Sequence, residues 1–169
     1  MECTVSWTGN AGARSAMGFV AETGSGHVLM MDGAQDAAKP ENGGQNLAAR
    51  PMETVLAGAG GCTAYDVVLI LKRGRHQVER CSVKLTSERA EKDPKVFTKI
   101  HMHFTVAGRD IPAAAVERAI ALSHDTYCSA TAPAWASSSR RNARWKRIST
   151  ATSSGCRPAT VRRGPSWRR

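Results

Sequence analysis

The chain has 169 residues, a net charge of +10, 41% hydrophobic residues and 5% aromatic residues, which allows one domain with or without a tail. Residues 1–128 hold all 14 acidic residues and 14 of the 24 basic ones, so the whole positive excess lies beyond them. That distribution excludes a uniformly basic nucleic-acid-binding globule, and five irregularly spaced cysteines exclude a disulfide scaffold.

The opening "MECTVSWTGN" lacks the basic and apolar regions of a secretory signal, so a cytoplasmic protein is expected. Within it, residues 3–8 alternate apolar and polar side chains and predict a strand. "SAMGFVAETGSGHVLMMDGA" predicts two strands about a Gly-Ser-Gly turn, the second ending at Asp32-Gly33. Residues 34–49 are polar and rich in breakers, which predicts a surface loop.

Pro51 and Glu53 suit the first turn of a helix, and Lys72, Arg73 and Gly74 suit its last turn and cap, which predicts a helix from Pro51 to Arg73. The helix is apolar on nearly every face, so it is expected to be central and enclosed rather than half-wet. Gly58, Gly60 and Gly61 each weaken it by roughly 1 kcal/mol relative to Ala, and close approach of another element is the expected compensation. These glycines, with Glu53 and Asp66, also argue against a membrane span.

"QVERCSVKLTSERA" (77–90) and "KVFTKIHMHFTVAG" (95–108) alternate strongly and predict a hairpin turned by "EKDP". Pro112 predicts the start of a second helix with Asp110 as its N-cap, and Val116, Ile120, Ser123 and Tyr127 carry the helical period to Cys128. Beyond residue 130 no period of either kind persists. Residues 131–169 form a basic Ser/Arg-rich tail, expected to be disordered or to derive from a shifted reading frame.

Cys62 and Cys128 occur in "GGCTA" and "YCSA", one inside the first helix and one near the end of the second. Were those helices side by side, the sulfurs could meet, and a thiol pair that cycles through a disulfide is the minimal equipment for reducing peroxides. Two inert core cysteines are the bland alternative. His101 and His103 share one strand face without a third ligand at suitable spacing, which favours a polar face over a metal site. Cys3 and Cys81 are expected to pack. Asp66, one turn beyond Cys62, needs a partner, either at a dimer contact or at a site.

"RPMETVLAGAGGCTAYDVVLILKRGR" followed by "CSVKLTSERAEKDPKVFTKIHMHFTVAGRDIPAAAVERAIALSHDTYCSA" resembles the OsmC/Ohr family of osmotically inducible and organic-hydroperoxide-resistance proteins, in particular the OsmC-like branch with a "PMExVLxxxGGC" signature. The similarity covers residues 1–130. It implies an α+β, OsmC-like fold, with antiparallel sheets wrapped around two central helices in an intertwined homodimer. It also implies thiol-dependent reduction of hydroperoxides, Cys62 being the peroxidatic cysteine and Cys128 the resolving one. No bound cofactor is implied, only an external dithiol reductant such as a lipoyl group.

An arginine held by a glutamate ionises the peroxidatic thiol in that family. Arg50 and Glu53 are the candidates here, with Arg14 the alternative arginine and Met52 standing where the hydroperoxidase branch carries its glutamate. Two rival functions remain. One is an OsmC-like protein without peroxidase activity that binds thiols or small molecules. The other is nucleic-acid binding by the tail through its cations and Trp135, Trp145 and Trp167.

Overall fold

A computed structural model describes residues 1–9 and 15–131. Arg14 and the basic tail with its three tryptophans lie outside the described residues. The element order is β1 (Cys3–Trp7), β2 (Phe19–Thr23), β3 (Val28–Met31), α1 (Pro51–Arg73), β4 (Gln77–Arg89), β5 (Phe97–Arg109) and α2 (Ala113–Leu122). The strands form two separate antiparallel sheets, β1-β2-β3 and β4-β5. This is the expected α+β arrangement.

The body of the molecule is α1 and α2 packed on the long β4–β5 hairpin. Strand alternation turns Met102, Phe104 and Val106 of β5 toward the helices, where they meet Ala59, Val67 and Leu71 of α1 and Val116, Ala119 and Ile120 of α2. His101 and His103 point from the opposite face of β5 and are half-buried. The helix α1 begins with Pro51 in its first turn. The Arg50 N–H donates to Glu53 Oε2 at 3.0 Å, closing a capping box that satisfies one of the free N–H groups of the helix start. It ends at Gly74, whose N–H donates to the Ile70 carbonyl at 2.9 Å.

Gly60 faces the hairpin, and a methyl group there would lie 2.6 Å from Leu85 Cδ1, so the expected close approach is real at this residue. It is not general. Added methyl groups at Gly58 and Gly61 would meet nothing within 4 Å, and Tyr65 on the same side is 70% exposed. One side of α1 is covered by the hairpin and α2, and the opposite side is bare. The expected enclosure of this helix is therefore not supplied by the described residues.

The second helix departs from its expected course at both ends. Asp110 does not cap it; Pro112 occupies the N-cap, and Asp110 sits in a left-handed turn at φ 50°. At the other end residues 123–127 widen into a single π-turn, closed by the Cys128 N–H donating to the Ser123 carbonyl at 2.7 Å. Tyr127 is thrown outward and Cys128 inward, where an α-helical continuation would have placed neither.

The β1–β3 sheet is built differently. Every residue of β1 is exposed, so Cys3 does not pack as expected. Cys81, inside β4, does pack against the core. Asp32, just after β3, is 2% exposed and accepts hydrogen bonds from Ser15 Oγ (2.5 Å) and from the N–H groups of Gly33 (2.7 Å), Gln45 (3.1 Å) and Leu47 (2.9 Å). These bonds outweigh the cost of burial and hold its carboxyl below the ordinary carboxylate value. The polar loop 34–49 is thus pinned by one buried anion, a role not visible in its composition.

Candidate functional site

Cys62 lies on α1 at the border between its covered and bare sides, and Asp66 follows it by one turn on the same face. The π-turn after α2 delivers Cys128 against that face. The result is a cluster of the Cys62 and Cys128 sulfurs and an Asp66 carboxylate oxygen, all within 4.8 Å of one another. Cys128 is buried, Cys62 and Asp66 are half-buried, and both thiols are free.

The neighbours of the cluster are hydroxyl groups. Thr63 Oγ1 lies 3.3 Å from Cys128 Sγ and donates to the Ala59 carbonyl at 3.0 Å, while Ser123 Oγ donates to Asp66 Oδ2 at 3.0 Å. Successive helical residues point about 100° apart, so the hydroxyl that follows Cys62 in sequence serves the other cysteine. Asp66 finds a partner in Ser123 and lies beside the two sulfurs. Thr63, Ser123 and Thr131 had no signal as site residues beyond being hydroxyls near a cysteine.

The two thiols are pushed in opposite directions. Burial raises Cys62, and the adjacent Cys128 and the negative charge of Asp66 raise it further, against an opposing hydrogen bond from the Ala130 backbone. Burial also works to raise Cys128, but its polar contacts with Thr131, Thr63 and Cys62 outweigh it and bring that thiol below its ordinary value. In this arrangement the cysteine expected to attack is the one whose thiol is pushed up.

Arg50 and Glu53 do not relieve that problem within the chain. Cys62 lies twelve residues beyond Arg50, about 18 Å along the helix axis. The Glu53 carboxylate accepts from the Arg50 backbone N–H, and both residues line a separate cleft of about 460 Å³ with Met52, Leu56, Arg89 and Phe97. Among the described residues no lysine or arginine pairs with Asp66.

Residues 43–133 match the family model described as OsmC-like protein. The chain is 47% identical over 129 residues to Protein YhfA of Escherichia coli K12, across 76% of this chain and 85% of that protein. A hypothetical protein from Aquifex aeolicus VF5 has a similar structure, with a TM-score of 0.66 and 26% identity over 90% of this chain and 95% of that one. An organic hydroperoxide resistance protein OsmC from Legionella pneumophila shares the fold at a TM-score of 0.55 and 19% identity, covering 90% of this chain and 98% of its own.

Proposed function

This chain belongs to the OsmC-like protein family, and on that premise we propose that it reduces organic hydroperoxides with the Cys62–Cys128 pair and an external dithiol. The observation that carries the reading is the approach of the two sulfurs to within 4.8 Å from distant parts of the sequence. A disulfide needs an S–S separation of about 2.05 Å, so a small side-chain movement would join them.

The chemistry balances with these groups. The Cys62 thiolate attacks one peroxide oxygen, the O–O bond breaks, and the departing alkoxide takes a proton to leave as the alcohol. Cys62 is then a sulfenic acid. Cys128 attacks its sulfur, the S–S bond forms, and water leaves. The dithiol reductant restores both thiols by two exchanges and ends as a disulfide.

Ionising Cys62 requires a cation to offset Asp66. Arg14 remains the candidate within the chain, since Arg50 stands about 18 Å from Cys62 along the helix axis. The bare side of α1, with Tyr65 70% and Val55 44% exposed, supports the homodimer, because a second copy would cover it. A dimer in the cytoplasm is the corresponding assembly and location.

Peroxide consumption with a dithiol such as dihydrolipoamide tests the reading on the intact chain. Wild type is expected to turn over, Cys62→Ser to fall to the uncatalysed rate, and Cys128→Ser to stop after one turnover with its sulfenic acid exposed to further oxidation. Consumption that survives Cys62→Ser overturns the mechanism. The upward push on Cys62 favours one second reading, a thiol-binding protein without peroxidase activity, which predicts no consumption by any of the three.

A further inference from the structure

We propose that Cys62, Asp66 and Cys128 form a Zn²⁺ site that reversibly masks both thiols. The inference uses the same cluster as the peroxidase reading but does not require it, since a metal can be held whether or not peroxide is a substrate.

The argument is geometric. Three side chains that can each lend one anionic donor converge within 4.8 Å, from two turns of α1 and from the end of the π-turn. In a tetrahedral zinc site, with Zn–S near 2.3 Å, two sulfurs sit about 3.8 Å apart, so the cluster needs to contract by no more than about 1 Å. Two thiolates and one carboxylate suit zinc rather than the hard cations, which prefer all-oxygen shells.

The supporting contacts are also in place. Ser123 Oγ donates to Asp66 Oδ2 at 3.0 Å, fixing the carboxylate beside the sulfurs. Thr63 Oγ1 at 3.3 Å orients Cys128. Three protein ligands leave a fourth position for water, and half-burial of Cys62 and Asp66 leaves the cluster open to entering metal. Among the described residues this is the one group of three or more His, Cys, Asp or Glu side chains so placed. Uptake of Zn²⁺ displaces the two thiol protons and leaves no free thiolate for peroxide.

Titration of the reduced, metal-free full chain with Co²⁺ under anaerobic conditions, followed by Zn²⁺ competition, tests this. One equivalent per chain should produce a thiolate-to-cobalt charge-transfer band and tetrahedral visible bands, both removed by Zn²⁺. The charge-transfer intensity should fall about twofold in Cys62→Ser and in Cys128→Ser, one of two thiolates being lost. Asp66→Asn should keep the band but weaken Zn²⁺ affinity by about tenfold or more. Replacing Cys3, Cys81 and Cys156 together with Ser should leave the titration unchanged, and circular dichroism of each variant confirms folding. Absence of the band at stoichiometric metal, or a band insensitive to both Cys62→Ser and Cys128→Ser, overturns the proposal. Metal binding without peroxide turnover by the metal-free chain sinks only the peroxidase reading, and turnover without metal binding sinks only this one.

Discussion

The helix–hairpin body and the β1–β3 sheet hold themselves together by opposite means. The body buries apolar side chains from three directions, with Val67 at 0% and Leu71 at 1% exposure. The sheet instead exposes all of β1, together with Val28, Leu29 and Met30, and is tied down at its end by the carboxylate of Asp32. One region has an apolar core of its own. The other leaves apolar side chains uncovered by the described residues, as does the bare side of α1. The thiols sit on the boundary of the stable region, positioned by its core and facing the open side.

The sharpest way to break this contrast is to truncate matched side chains in each region. Leu71→Ala should lower unfolding free energy by about 2–5 kcal/mol in denaturant titration. Val5→Ala, at an exposed position, should stay within about 0.5 kcal/mol if the isolated chain is the whole story. A much larger loss for Val5→Ala would show that β1 is covered in the assembled protein.

Next in size is the anchor. Asp32→Asn removes the charge that four donors share, and should cost about 1.5–3 kcal/mol, read as faster amide exchange at Gln45 and Leu47 before any change in the body. The pH dependence has a definite sign. The folded carboxyl lies below its ordinary value of 3.8, so the stabilisation is complete above that value and is lost as pH falls through the lower folded pKa. The loop 34–49 should therefore open in acid, and the Asp32→Asn variant should lose that acid step.

A smaller effect separates the two sides of α1. Gly60→Ala meets Leu85 and should cost about 1 kcal/mol net of its helical gain, whereas Gly61→Ala should stabilise an uncovered helix by up to about 1 kcal/mol. Destabilisation by Gly61→Ala would mean that a partner packs there. The subtlest change is electrostatic: Asp66→Asn removes a negative charge beside Cys62, so that thiol should ionise at lower pH, as followed by alkylation rate against pH. No change in that profile would detach Asp66 from the thiols.

Much of this architecture could be read from the chain itself. Pro51, Glu53 and Gly74 mark the ends of α1 because helix termini make specific demands on backbone donors and acceptors. Alternation along 77–90 and 95–108 sets the hairpin because one face must be apolar and the other wet. Asp66 could be placed beside Cys62 by helical spacing alone. Asp32 and the hydroxyls of Thr63 and Ser123 could not, because their partners come from segments far away in sequence. Arg50 and Glu53 are the activating pair suggested by the resemblance and by their place at the helix start, yet they stand twelve and nine residues before Cys62 along a rigid helix.

The sequence by itself marked out the strands, α1 and the α+β class, and singled out Cys62 and Cys128 as candidates, since period, caps and local motifs are short-range properties of the chain. Only tertiary structure decided that a π-turn aims Cys128 at α1, that its sulfur joins Cys62 and Asp66, and which thiol is pushed up. Those outcomes depend on distances between separate elements and on the desolvation and charge each group meets there, which no local pattern encodes.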